Sequence, residues 1–436
     1  MAIEGLVPLK EVQGSEQSDE LSIAIAGVDS SAFTTALACH AAGFSDITLF
    51  ENISAHAQTL PTHTSPGFQT PSLPPKHASV ELSPNASRVL RTLKALDALR
   101  EYCFEPQFVH QRSYRTGFQL SILALGAMAE GRYNAPFLNL EYRHLNKVLG
   151  QLAEARGIKR VAGEVRKLTQ SNIGIELAVK NKQHQHDVLI VAADPEDKWR
   201  TSANAETLTR TRTDTLHWQG EVLQSALPEG AFGPVITQWL GPLHHLSYHF
   251  GAGTQRLHLS AITAAVPDMQ FNKSQTGSNA DREPLLATLT NWHPSLRALV
   301  QRADNLHCKP VVNSTSPKRL AHGRIVFLAS SCHNLLPHLP QDTALGIEDA
   351  WVAARMLEQW EEDPASGWVE YEKYRLPRAR RMQTQAQLLA QKLCEPGAAR
   401  AWQRNLGLSL SSRFLPELAM QKNDWLYGYD AINGFE

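Results

Sequence analysis

Between residues 21 and 51 the spacing of apolar positions changes twice. Ile23 and Ile25, with alanines beside them, make a short unbroken apolar run, the pattern of a strand buried on both faces. Gly27 closes that run. From Ala32 to Ala42 small and apolar residues recur at helical spacing, and Gly43 is placed to stop the helix. Ile47 to Phe50 is a second buried-strand run, with Glu51 at its carboxyl end. Residues 52–82 are rich in Pro, Thr, Ser and His and predict loop. Ser83-Pro84-Asn85 opens a helix whose apolar stripe is Val89, Leu90, Leu93, Leu96 and Leu99, with Arg88, Arg91 and Lys94 on the other side. Residues 108–125 predict one or two strands, 145–155 an amphipathic helix, 161–172 with 174–179 a hairpin, and 187–193 a buried strand. Strand-like runs at 235–240, 244–250 and 256–262 are separated by Gly-Pro and Gly-Ala-Gly, the pattern of an antiparallel sheet. Residues 325–328 return to a buried strand, a helix follows from Thr343 to about Trp360, and 367 to about 395 is helical before an irregular end.

Strand, glycine turn, helix and strand with a terminal carboxylate are the opening of a dinucleotide fold. Glu51 falls about 20 residues past the turn, where an acidic residue can hold a ribose hydroxyl. Such a turn uses three glycines, for the bend, for close approach to a pyrophosphate and for helix packing. Here those places hold Gly27, Asp29 and Ala32. Alanine is tolerated at the third place. Asp29 sets a negative side chain where a phosphate should meet bare backbone. The fold class expected is α/β, with an antiparallel sheet domain inserted into a dinucleotide domain and helices at the carboxyl end. The expected boundaries are a flexible tail over 1–20, a discontinuous dinucleotide domain over 21–200 and 305–365, a substrate domain over 201–304 with parts of 60–125, and a helical region over 366–436.

The 436 residues carry a net charge of −1, so neither nucleic acid nor an anionic membrane is an expected partner. Five scattered cysteines without metal spacing fit reduced thiols in a cytoplasm. The first twenty residues lack the sustained apolar run of a signal peptide, and no run reaches membrane-spanning length.

Four collinear stretches carry a resemblance: Ser83-Pro84-Asn85-Ala86-Ser87-Arg88-Val89-Leu90, Arg132-Tyr133-Asn134-Ala135-Pro136-Phe137, Gly346-Ile347-Glu348-Asp349-Ala350, and the closing Trp425-Leu426-Tyr427-Gly428-Tyr429-Asp430. Together they make the chain resemble, from about residue 21 to its end, the flavin-dependent aromatic hydroxylases of the salicylate and 3-hydroxybenzoate type. The resemblance implies a Rossmann-like FAD-type domain and FAD contacts that can be matched residue by residue. Gly27 and Glu51 match the dinucleotide turn and ribose acid, and Asp29 breaks the turn. The arginine that faces the flavin corresponds to Arg143, one place out of register. An Asp-Gly pair becomes Asp194-Pro195, and proline cannot imitate the glycine. The Gly-Asp pair that holds the ribityl chain becomes Ala329-Ser330, and a glycine further on becomes Asp342. His333 is intact. His244 and Tyr248 match a His and a Tyr that line the substrate pocket in some members.

Two functions follow as expectations. In the first, altered contacts at Asp29, Pro195 and Ser330 mark a non-catalytic or divergent homologue that has lost tight FAD binding. It would bind a small aromatic or apolar molecule or pair with an active paralogue. In the alternative, the chain is an FAD- and NAD(P)H-dependent aromatic-ring hydroxylase with unusual cofactor contacts, and His244 or Tyr248 orients or deprotonates the phenol. Ser330, Ser331, Cys332 and His333 read as a loop rather than a nucleophilic site, because no orienting acid is evident. His244, His245, His249 and His258 read as pocket or surface residues, because no cysteine or carboxylate completes a ligand set; no metal is expected. The C-terminal aromatic residues read as packing groups.

Overall fold

The computed structural model describes residues 20–51, 79–163, 165–192, 198–226, 233–251, 255–265, 280–394, 397–414 and 416–434. The tail, most of the 52–82 loop and the turn containing Asp194-Pro195 lie outside them.

The buried apolar runs assemble into one six-stranded sheet, in the order Ala321–His322, Ile325–Phe327, Val188–Val191, Ile23–Ala26, Ile47–Glu51 and Lys159–Ala162. Its central strands pair in parallel and are fully covered, which is why they lack polar alternation. The helix Ser30–Ala41 returns the chain between the first two of these strands, capped by Asp29 and followed by Gly43 at φ 109°. The helix Asp342–Gln359 packs on that first helix so closely that a Cβ on Gly346 would sit 2.6 Å from Ser31 Oγ and 2.9 Å from Ala329 Cβ.

A second, seven-stranded sheet runs in the order Asp304–Ser314, Arg210–Leu223, Arg256–Ala264, His245–Phe250, Val235–Leu240, Phe108–Ser113 and Gln119–Ala124. It takes strands from three separate parts of the chain. Leu216, Trp218, Leu246, Leu257 and Leu259 pack with the helices Glu283–Thr288 and Pro294–Gln301 in a core on one face. The two-stranded ribbon Ser79–Leu82 with Leu138–Glu141 stands against the other face. A three-stranded sheet spans Val165–His186. The chain ends in helices, the longest Pro364–Leu393. Among the described residues no helix is long and apolar enough to cross a membrane.

The four stretches that carry the resemblance converge on one buried ionic clasp. Glu348 and Asp349 meet Arg375 and Arg378 from the long C-terminal helix. Asn85 donates to Glu348 at 2.6 Å. Arg378 donates to the Trp425 and Leu426 carbonyls, and Arg375 to the Tyr429 hydroxyl. Arg88 donates to the carbonyls of Tyr133 and Tyr429, and at the exposed rim Arg132 pairs with Asp424. The C-terminal aromatic residues are therefore packing groups, as their composition suggested.

Candidate functional site

Cross-strand partners share a sheet face. On that rule Glu221, His258 and His249 form one row of the large sheet, Gln219, Ser260, Ser247 and Gln238 the next, and His217 and His245 a third. This polar face is turned toward the dinucleotide domain. Ser79 Oγ lies 2.9 Å from His249 Nε2, while His249 Nδ1 donates to the Phe250 carbonyl. That bond fixes the tautomer and leaves Nε2 to accept from Ser79. The His258 ring lies between two buried carboxylates, 3.9 Å from Glu141 Oε1 and 3.7 Å from Glu221 Oε1. Their other oxygens meet Arg143 at 2.6 Å and Arg256 at 3.1 Å. Asn139, on the same side of the ribbon as Glu141, is buried with neither amide atom hydrogen-bonded. A buried amide without partners costs roughly 1–3 kcal/mol, so Asn139 is the polar side chain of this layer with the most to gain from a partner.

His244 and Tyr248 are not on this face. Tyr248 alternates with His249 along its strand and packs into the core under the covering helices. His244 Nδ1 accepts from the Ala264 amide at 3.1 Å, and its ring leans toward Trp292. The residue match rested on spacing, and strand parity sends these two side chains away from the cleft. His249 and His258 stand on the face that His244 and Tyr248 do not, an alternation fixed by their parity on paired strands.

At the dinucleotide end Gly27 sits at φ 128°, a conformation that glycine alone adopts freely, with its amide on the Phe50 carbonyl. Glu51 accepts from Arg160 at 2.7 Å. Asp29 is buried and its carboxylate accepts from the Ala32 amide at 2.9 Å, satisfying a donor that would otherwise serve an anion. Burial raises the Asp29 pKa, against the hydrogen bonds from Ala32 and Ser31. Arg143 is half exposed and engaged by Glu141, so its charge is spent on a carboxylate. Ala329 holds φ 53°, so the backbone keeps a left-handed bend without the glycine that suits it. Ser330 is exposed, with its hydroxyl 3.4 Å from the Ala192 carbonyl. His333 is buried 3.7 Å from Asp349, with neither ring nitrogen hydrogen-bonded. Gly27 and Glu51 thus stand where the resemblance sets the dinucleotide turn and the ribose acid, Glu51 already engaged by Arg160, while Asp29 holds an acid at the pyrophosphate place.

Burial depresses both His249 and His333 to about 4, from an ordinary 6.5. Each neutral ring therefore contributes stability that is present above pH 6.5 and lost as pH falls toward 4. Glu81, partly buried and raised to about 7 by desolvation, works in the opposite direction and gains as pH falls. From pH 7 to pH 5 the two histidines together cost about 4 kcal/mol, at roughly 1.4 kcal/mol per unit, and Glu81 returns up to about half. His245 and His338, depressed to about 3 and about 4, act in the same direction and outweigh Asp342, raised to about 6, so urea unfolding at the two pH values is expected to show a net loss of at least about 2 kcal/mol; no loss would contradict the neutral buried histidines.

No family model matches the chain. Curated relatives do, over most of its length. A 3-amino-4-hydroxybenzoate 2-monooxygenase of Streptomyces platensis is 25% identical over 354 residues, spanning 81% of this chain and 87% of that protein. A 6-hydroxynicotinate 3-monooxygenase of Bordetella bronchiseptica is 23% identical over 318 residues, spanning 72% and 82%. Among solved structures, Klebsiella pneumoniae HpxO complexed with FAD and uric acid superposes with a TM-score of 0.76 at 17% identity, covering 93% of this chain and 97% of that one. A salicylate hydroxylase substrate complex superposes with a TM-score of 0.72 at 15% identity, covering 94% and 96%. The relatives are aromatic monooxygenases, the resemblance read from the sequence holds along most of the chain, and the fold is that of flavin hydroxylases.

Proposed function

We propose that the chain is an FAD- and NAD(P)H-dependent oxidoreductase that hydroxylates a small aromatic ring carrying a polar substituent. One observation carries this reading: the large sheet turns a buried, histidine-rich face onto a dinucleotide domain in a chain whose relatives over four fifths of its length are named aromatic monooxygenases. FAD, when bound and reduced, supplies the oxygen chemistry. Gly27 and Glu51 would hold its dinucleotide end. His249 accepts a hydrogen bond from Ser79, so a phenolic hydroxyl entering the cleft can take the serine's place at Nε2 and be oriented there. Asn139 offers a donor and an acceptor to a ring nitrogen or carboxylate.

The visible spectrum of the purified chain, incubated with excess FAD and desalted, tests this first. Retained flavin in stoichiometric amount, followed by NAD(P)H oxidation stimulated by 3-amino-4-hydroxybenzoate, 6-hydroxynicotinate or salicylate, is the expected result. A colourless chain with no stimulated oxidation would overturn it. One observation favours a second reading, a non-catalytic homologue that keeps the cleft as a small-molecule site: the Asp29 carboxylate already occupies the amide at the start of the first helix.

A further inference from the structure

Among the described residues, three groups of buried or half-buried side chains bring metal-ligand atoms together. In Glu141, Glu221 and His258 the imidazole shows a different nitrogen to each carboxylate, and each carboxylate is engaged by an arginine. In Cys332, His333 and Asp349 the carboxylate is committed to Arg375 and to the Ala329 amide. The third group has neither commitment. His245 opens a strand of the large sheet, His338 lies in the loop after Ile325–Phe327, and Cys394 ends the helix Pro364–Leu393.

We propose that His245, His338 and Cys394 form a binding site for a divalent metal ion of the zinc class. Their ligand atoms lie within 4.8 Å of one another, and His338 Nε2 is 3.4 Å from Cys394 Sγ. Zinc–nitrogen bonds of about 2.0–2.1 Å and zinc–sulfur bonds of about 2.3 Å set tetrahedral ligand atoms about 3.3–3.6 Å apart, so a small closing movement of His245 completes the set. The two imidazole rings meet at 5.1 Å between centroids. The Nδ1 of each is out of contact with water and has no hydrogen-bond partner. Both rings are neutral at pH 7, as ligation requires, because burial depresses His245 to about 3 and His338 to about 4. Burial pushes the Cys394 thiol up to about 11, against the nearby Arg404. Binding therefore forms the metal–sulfur bond as the thiol proton leaves to solvent, with no change of oxidation state. The ion would tie the C-terminal helix to the substrate sheet and to the altered flavin loop. Three protein ligands leave a fourth position open to water or to a guest in the cleft.

Cobalt(II) titration of the full chain, together with zinc content after dialysis, tests the site without reference to flavin. The expected result is one equivalent of metal and a thiolate-to-cobalt charge-transfer band in the near ultraviolet. Changing even an outer-shell partner of a metal typically weakens affinity 10–100-fold, so Cys394→Ser and His338→Gln, which remove ligands, should each weaken it at least about a hundredfold. The same principle predicts no such loss for Cys103→Ser, which lies outside the cluster. Absence of bound metal from the unaltered chain, or a charge-transfer band that persists in Cys394→Ser, would overturn the proposal. Iodoacetamide labelling of Cys394 in the unaltered chain, read by peptide mass, avoids any folding defect of the variants. Zinc should slow it at least tenfold, and equal labelling with and without zinc would also overturn the site.

Discussion

The double variant Asp29→Gly with Ser330→Asp is expected to bind FAD about a hundredfold more tightly than the unaltered chain, at roughly tenfold for each change. Asp29 holds a buried carboxylate at the start of the first helix and occupies the Ala32 amide. A phosphate arriving there must displace a hydrogen bond and meet a like charge in a poorly screened place. Glycine removes both obstacles, and as an N-cap it costs the helix only about a few tenths of a kcal/mol against aspartate. Ser330 is exposed beside the turn in which Ala329 already holds a left-handed backbone, so a longer acceptor can be installed without rebuilding the turn. The pH dependence separates the two changes. Because burial raises the Asp29 pKa, its charge fades as pH falls, and the unaltered chain should bind FAD more tightly at lower pH. Variants carrying Asp29→Gly should lose that dependence. FAD fluorescence titrations at two pH values measure both effects, and equal affinity across the variants would remove Asp29 as the determinant.

The fold was legible because its signals are local. Short apolar runs ending at Gly27 and Glu51 can only be central strands of a covered sheet, and that is where the sheet has them. The large sheet was legible in its middle and at the edge built from residues 108–125, and not on its other side. Arg210–Leu223 and Asp304–Ser314 alternate weakly, being long, bulged strands whose two faces meet different neighbours. The facing of the predicted pair has a geometric reason. His244 and Tyr248 are spaced as a matching pair, yet facing is decided by strand parity and by which face the helices cover, and the covering helices come forty residues later in the chain. His245, His338 and Cys394 come from three elements, so sequence spacing gave no hint of them. The best-preserved motifs, in turn, describe the clasp between the dinucleotide domain and the C-terminal helix, a matter of assembly more than of chemistry.

Arg375→Met should therefore be among the most destabilising single changes in the protein, costing about 3–5 kcal/mol. Arg375 is fully buried and donates at once to Asp349 Oδ1 at 2.6 Å, to Glu348 Oε2 at 2.8 Å and to the Tyr429 hydroxyl at 2.9 Å. Glu348 is equally buried. Desolvation pushes its pKa up, but Arg378 and Arg375 outweigh that and hold it below the usual carboxylate value. Methionine fills the volume but leaves two carboxylates in the interior, with Arg378 still paired to Glu348. The chain can then only protonate a carboxylate, admit water or part the C-terminal helix from its neighbour. Arg375→Lys keeps the charge but cannot reach three acceptors with a planar fork, so it should recover part of the loss and no more. The Arg375→Met penalty should shrink as pH falls, because protonating Glu348 or Asp349 discharges the unpaired acid. Urea unfolding of the three proteins at neutral and mildly acidic pH reads all of this. A loss under about 1 kcal/mol in Arg375→Met would place the pair among weak surface contacts and contradict its burial.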